Sequence, residues 1–328
     1  VPAPNGTVKA DADQLAVAAQ LLAALTPKVD ADTVKALIAE QHGSYAAELL
    51  GKVDAKIDAI TAPVTVQLRD PNGETRVIPG LTHKSVPTVL TVLNSGEHCL
   101  MVGPAGTGKS TIAEQCAEAL GLRYYSISLS PQTPASSLLG YMQAAGEYVA
   151  SLYRQAFEHG GVFHFDEFDN AHPSVLAVIN ASLANGHMAF PDRMVKRHPE
   201  FKVCASANTY GRGPDRQYVG RQALDAATLD RFTIVTVEYD RALENELCKG
   251  TGAADNVVRE VLCYVWSLRD NAERHKMTLI FSPRASVGMC RLINAGLPVS
   301  EAIETRARRG VSDADWSKVT SGVSLPHL

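Results

Sequence analysis

No window of the 328 residues approaches the run of about eighteen apolar residues that a membrane-spanning helix needs, so none is expected. Nor does the chain open with a basic stretch followed by a short apolar one, and no secretory leader is visible. A basic excess is missing too. Lys and Arg number 31 against 35 Asp and Glu, for a net charge of −4. That counts against a protein that coats nucleic acid by bulk electrostatics, though it leaves room for a local basic patch. The six cysteines (Cys99, Cys116, Cys204, Cys248, Cys263, Cys290) include no C-x-x-C pair. A disulfide framework or zinc site is therefore not expected, and a reducing, cytoplasmic compartment fits. Cys99, Cys116 and Cys204 sit in apolar runs and read as small buried hydrophobes. There is no long internal repeat and no low-complexity tail.

What is present divides the chain into four stretches. Residues 1–63 are rich in Ala, Leu, Asp and Lys, with apolar residues at three- and four-residue steps, and read as an N-terminal helical segment ending at Pro63. In 64–79 the period changes: Val64, Val66 and Leu68 alternate with polar residues, "DPNG" supplies a turn, and Val77 and Ile78 follow, predicting a β-hairpin or linker. Residues 80–240 alternate short apolar strands ("EHCLMVG", "YYSISL", "GVFHFDE", "FKVCASAN", "FTIVTVEY") with helical patterns. That alternation predicts a parallel sheet wrapped by helices. Residues 241–328 are helical, with an apolar stripe through Val257, Val261, Tyr264, Val265 and Leu268.

The stretch "GPAGTGKS" (103–110) follows a strand and opens a helix, the context that makes G-x-x-x-x-G-K-[ST] a phosphate-binding loop. Its glycines (Gly103, Gly106, Gly108) permit close backbone approach. The stretch Gly103, Pro104, Ala105, Gly106, Thr107, Gly108, Lys109, Ser110 and Thr111 is the expected nucleotide-binding segment, its successive N–H groups pointing inward to form an anion nest at a helix N-terminus. Lys109 adds a cation for the phosphates, and Ser110 offers a hydroxyl to Mg²⁺. Some sixty residues on, "GVFHFDEFDNA" delivers Asp166 and Glu167 at a strand's C-terminal end, where ligands of open α/β sheets bind. Asp166 is expected to hold Mg²⁺ through water, and Glu167 to orient and deprotonate the attacking water. Asp169 reads as a surface or helix-cap residue, and His164, inside the strand, as a tolerated half-buried residue and not a ligand. "VCASANTYGRG" ends a strand at Asn208, whose amide can hydrogen-bond the lytic water or the γ-phosphate; the competing reading is a turn residue. In "LDAATLDRF", Arg231 precedes a strand, where an arginine can act on a neighbouring subunit's nucleotide; Arg221 and Arg216 are nearby alternatives, and a surface salt bridge is the plain reading. In "FSPRASV", Pro283 opens a helix and Arg284 sits in its first turn, where a positive charge is unfavourable unless an anion neutralises it.

These five elements, in this order, resemble an AAA+ ATPase over roughly residues 80–310. Within that class the chain resembles the MoxR-type and cobaltochelatase CobS-type group, on "ASANTYGRG", "YVG", "ALDAATLDRF" and "SPRA". The resemblance implies a P-loop α/β core with a small C-terminal helical lid, binding ATP and Mg²⁺. It makes Asn208 sensor 1, Arg231 the arginine finger and Arg284 sensor 2. "SSLLGYMQAAGEYVASLYRQAFEHGG" resembles the helix-2 insert, and "NGHMAFPDRMVKRHPEFKV" the hairpin before sensor 1. In the group both line the pore of a hexameric ring, making Tyr141, Met142, Met188 and Phe190 candidate pore residues.

The expected activity is ATP hydrolysis by a ring-forming homo-oligomer that remodels or activates a partner protein. The resemblance implies a partner with a von Willebrand A-type domain. Alternatives are a nucleic-acid motor, favoured by the local charge of Arg193, Lys196, Arg197 and His198, a GTP-using relative, and an assembly that uses nucleotide only as a ligand. No residue that reads the base is evident in the sequence.

Overall fold

A computed structural model describes Gly80–Leu328, together with the backbone of two short strands upstream, Gln67–Arg69 (β1) and Thr75–Val77 (β2). These two pair antiparallel, Gln67 opposite Val77, across the "DPNG" stretch. The helices expected within 1–63 lie outside the described residues.

From Gly80 the chain lays down helix α1 (Val86–Asn94), strand β3 (Cys99–Val102), helix α2 (Lys109–Leu120) and strand β4 (Tyr124–Ser128). An excursion follows: a short helix α3 (Ser136–Leu139), a two-stranded hairpin of β5 (Tyr141–Met142) and β6 (Tyr148–Val149), and helix α4 (Leu152–His159). The main course resumes with β7 (Gly161–Asp166) and α5 (Pro173–Ala184). A second hairpin, β8 (His187–Ala189) with β9 (Met194–Lys196), precedes β10 (Phe201–Ala207), a short helix α6 (Ala226–Leu229) and β11 (Thr233–Thr236).

Strands β11, β3, β10, β7 and β4 form one parallel sheet in that spatial order. Parallel strands need long crossovers, and the helices that supply them cover both faces. Strand β3 accordingly has all four residues buried. Leu100 and Val102 join one apolar cluster, Cys99 and Met101 the other, as the two-residue repeat of a strand requires. Cys99, Cys116 and Cys204 are all buried, as expected. Because chain order and spatial order differ, β3, β7 and β10 end side by side at the same sheet edge. Val102 lies opposite Ala207 there, and Cys204 opposite His164 two residues before the end of β7.

The C-terminal helices are α7 (Arg241–Lys249), α8 (Asp255–Arg274), α9 (Pro283–Asn294), α10 (Val299–Ile303), a π-helical turn over Glu304–Arg308, and α11 (Asp313–Val319). They share their own apolar core around Leu268, Met289 and Ile303. Glu244 of α7 is fully buried and accepts from Trp266 Nε1 (3.0 Å), Ser286 Oγ (2.5 Å) and both terminal nitrogens of Arg269 (2.9 Å each). A buried carboxylate needs that many partners to offset its desolvation.

The two hairpins correct one expectation. Tyr141 and Met142 are exposed, as a pore role needs. Met188 and Phe190 are 7% and 6% exposed and belong to the core cluster with Phe157 and Phe201. The alternation of β8 turns them inward, and Met194 on β9 is the exposed apolar residue of that hairpin instead.

Candidate nucleotide site

The phosphate loop leaves β3 at Gly103. A Cβ there would overlap the Val237 carbonyl oxygen, so only glycine lets β11 continue alongside. Gly106 is held at φ 83°, and a Cβ on it would come within 2.7 Å of Ser282 at the start of α9. The loop thus touches the helical unit directly. Lys109 opens α2, is 8% exposed, and donates from Nζ to Gly103 O (2.7 Å), Pro104 O (3.0 Å) and Asn208 Oδ1 (2.9 Å). Burial lowers its pKa to about 8, against the opposing pull of Asp166, Glu167 and Asp169. Two tyrosines that sequence reasoning did not single out pin Ala105. Its N–H donates to Tyr218 Oη (3.0 Å), and its carbonyl accepts from Tyr239 Oη (3.1 Å). The "YVG" stretch that contains Tyr218 gave the only prior sign of it.

At the end of β7, Asp166 Oδ1 accepts from Ser206 Oγ (2.6 Å) and Glu167 N (3.0 Å), while Oδ2 faces Ser110 Oγ at 3.4 Å. Glu167 turns the chain off the strand in the left-handed region, φ 57°, an unusual conformation for a residue with a Cβ. Its carboxylate is ion-paired to Arg221.

Asp169 is not on the surface. It is 0% exposed, and its Oδ2 accepts from Asn208 N (3.1 Å), Thr209 N (2.9 Å) and Thr209 Oγ1 (2.8 Å), with Arg221 Nη1 3.3 Å from Oδ1. It therefore fixes the backbone that carries Asn208. The expectation failed because its partners, Asn208, Thr209 and Arg221, follow β10 and are remote in sequence. Nor is His164 half-buried. It is 1% exposed, bonded through Nδ1 to Tyr124 Oη and through Nε2 to Ser206 Oγ, both at 3.0 Å. Burial lowers its pKa to about 4, so the ring is neutral.

Ala105, Gly106, Gly108, Lys109, Ser110, Thr111, Asp166, Glu167, Asn208 and Arg284 line one cavity of about 220 Å³. Gly103 and Pro104 sit behind it and hold Lys109 by their carbonyls, and Thr107 Oγ1 closes the loop onto Pro104 O (3.1 Å). Arg284 enters it from the first turn of α9. Arg231 does not line it; its guanidinium bonds Ala227 O. Arg221, one of the alternatives to Arg231, is engaged with its own chain's Glu167 and Asp169.

A family model, "AAA domain (dynein-related subfamily)", matches residues 98–232, the stretch that carries the loop, the acid pair, Asn208 and Arg231. These residues are an AAA domain. The chain is 27% identical over 223 residues to the aerobic cobaltochelatase subunit CobS of a Sinorhizobium species, covering 61% of this chain and 67% of that one. It is 28% identical over 170 residues to the uncharacterised protein YojN of Bacillus subtilis, covering 49% and 53%. Among solved structures it is similar to the RuvB Holliday junction branch migration motor of Thermotoga maritima, with a TM-score of 0.43, 16% identity and 71% and 73% covered. It is also similar to NtrX of Brucella abortus in complex with ADP, with a TM-score of 0.41, 15% identity and 70% and 50% covered.

The AAA domain is that of a nucleotide-binding P-loop ATPase. Its oxygen donors suit Mg²⁺: Ser110 Oγ and Asp166 Oδ2 face each other at the cavity. Among the described residues no three His, Cys, Asp or Glu side chains form a cage. Mg²⁺ takes one or two protein oxygens and completes its shell with phosphate and water. A second cavity of about 150 Å³ shares Gly106, Gly108 and Thr111 with the first and adds Leu81, His83, Ile112, Leu243, Leu247 and Pro283. No helix of the described residues is long and apolar enough to cross a membrane.

Proposed function

We propose that this AAA domain works as a ring-forming motor, hydrolysing ATP to remodel or activate a partner protein. The observation that carries the reading is the single cavity lined by Lys109, Ser110, Asp166, Glu167, Asn208 and Arg284, with an apolar pocket beside it that suits the base. The loop N–H groups and Lys109 bind the β- and γ-phosphates. Ser110 and Asp166 hold Mg²⁺, which neutralises charge on the phosphate oxygens when bound. Glu167 leaves Arg221 and takes a proton from a water whose oxygen attacks the γ-phosphorus, as the bond to the β,γ-bridging oxygen breaks. Asn208 orients that water, and Arg284 balances the charge on the γ-phosphate. Arg231, which does not line its own cavity, completes the site of a neighbouring subunit in a homo-oligomeric, hexameric ring.

The partner is read from likeness alone: a protein with a von Willebrand A-type domain, gripped by Tyr141, Met142 and Met194 on the two hairpins. The nucleic-acid alternative has lost support. Arg193 is paired with Glu158 at 2.5 Å, and Arg197 donates to Leu183 O at 3.1 Å, so the basic stretch is partly spent within the fold.

The experiment is Glu167→Gln. It should bind ATP as tightly as wild type, lose hydrolysis by at least about a hundredfold, and retain client protein in affinity capture. Equal hydrolysis in variant and wild type would reduce the site to a ligand-binding one.

A further inference from the structure

Strand β7 is apolar except for His164 and Asp166, two residues apart on one face. On the adjacent β10 the same face carries Ser206 beside Asp166. His164 and Ser206 are both buried, so each of their polar atoms costs free energy unless partnered. The hydrogen-bond directions along this group follow from its last member. An ionised carboxylate only accepts, so the one proton of Ser206 Oγ goes to Asp166 Oδ1, at 2.6 Å. Ser206 Oγ can then only accept from the ring, so His164 Nε2 carries the hydrogen, at 3.0 Å. In a neutral imidazole that leaves Nδ1 as an acceptor, and Tyr124 Oη donates to it, at 3.0 Å. Three strands, β4, β7 and β10, thus supply one chain of hydrogen bonds with a single direction, ending on the carboxylate.

We propose that Tyr124, His164 and Ser206 form a positioning relay for the metal-binding carboxylate, holding Asp166 so that Oδ2 is presented to Ser110 and Mg²⁺. The proposal rests on the reading of Asp166 as a metal ligand. A lone serine hydroxyl rotates freely and could equally serve a backbone carbonyl. Donation from His164 Nε2 occupies its lone pair and leaves its proton aimed at Asp166. Oδ1 therefore receives two donors, Ser206 Oγ and Glu167 N, and the carboxylate plane is fixed. Oδ2 has only the 3.4 Å approach of Ser110 and keeps its charge directed into the cavity. The relay orients and does not move a proton. None of its three members lines the cavity, so none touches nucleotide.

The test compares the affinity of the full chain for a non-hydrolysable ATP analogue with Mn²⁺ present and in EDTA. The ratio of the two is the metal-dependent gain. Ser206→Ala and His164→Leu should each lower that gain by about tenfold, the lower end for removing an outer partner of a metal ligand, with affinity in EDTA unchanged. His164→Gln, which keeps a donor for Ser206, should recover most of it. The proposal is overturned if the gain is unchanged in both variants, or if affinity in EDTA falls by the same factor, which marks a loosened site. Should Ser206→Ala not fold, the His164→Leu and His164→Gln pair decides alone. Absence of analogue binding by wild type would instead sink the nucleotide reading itself.

Discussion

Lys109 is held by two loop carbonyls and Asn208, and burial brings its pKa from the ordinary lysine value to about 8. The protonated form is the one that binds phosphate, so affinity should respond to pH in a defined direction. Below about pH 7 affinity for ATP is flat, and above about 8 it falls toward tenfold per pH unit, as binding must take up the missing proton. Over the same window the nucleotide-free fold gains stability with pH, because the unfolded chain, with its lysine at the ordinary value, binds more protons. Fluorescence titration with ATP between about pH 7 and 9 reads the first effect, and a flat profile would count against the assignment of Lys109. A lysine at the right offset was legible in the sequence. Its depressed pKa was not, since it comes from burial, and one of the groups that enclose the ammonium, Asn208, is remote in the chain.

At the scale of elements, Arg154 of α4 joins the two hairpins. It is 3% exposed, bonds Glu158 Oε2 and Asp192 Oδ1 at 2.8 Å each, and lies 5.4 Å from the Tyr148 ring and 4.5 Å from the Phe190 ring. Tyr148 belongs to the first hairpin; Phe190 and Asp192 belong to the turn of the second. Removing this guanidinium should loosen both together. For Arg154→Met, amide hydrogen exchange should rise about tenfold in 141–149 and in 187–196 alike. A rise confined to one hairpin would show that they are independent. The second hairpin was legible through its likeness to the hairpin before sensor 1, and the first only as a stretch resembling the helix-2 insert. Which of their apolar residues face out was not: an alternating strand has two faces, and only the core it lies on decides between them.

At the scale of the molecule, the site is incomplete in one chain if Arg231 acts across a boundary. Arg231→Ala should then lose hydrolysis by on the order of a thousandfold, the effect of arginine fingers in general. Mixing it with Glu167→Gln should restore part of the activity, since an intact Glu167 then meets an intact Arg231 at some interfaces. No recovery on mixing, across a range of protein concentration, would place Arg231 in its own subunit's service or in none. The helical unit bears on the same site from the other side. Arg269, bound to the buried Glu244, also lies 4.2 Å from the ring of Tyr239, whose hydroxyl holds Ala105 of the phosphate loop.

The sequence by itself determined the sheet strands, the phosphate loop, and the offsets of Lys109, Ser110, Asp166, Glu167 and Asn208. These depend on local backbone geometry: a strand ends, glycines turn it, and a helix begins. Only the tertiary structure decided that Asp169 is a buried anchor for Asn208, that Arg221 grips Glu167, and that His164 reaches Asp166 through Ser206. Each of these links residues on elements adjacent in space and distant or offset in the chain. The strand order β11, β3, β10, β7, β4 brings them together, and no spacing along one segment encodes which strand will lie beside it.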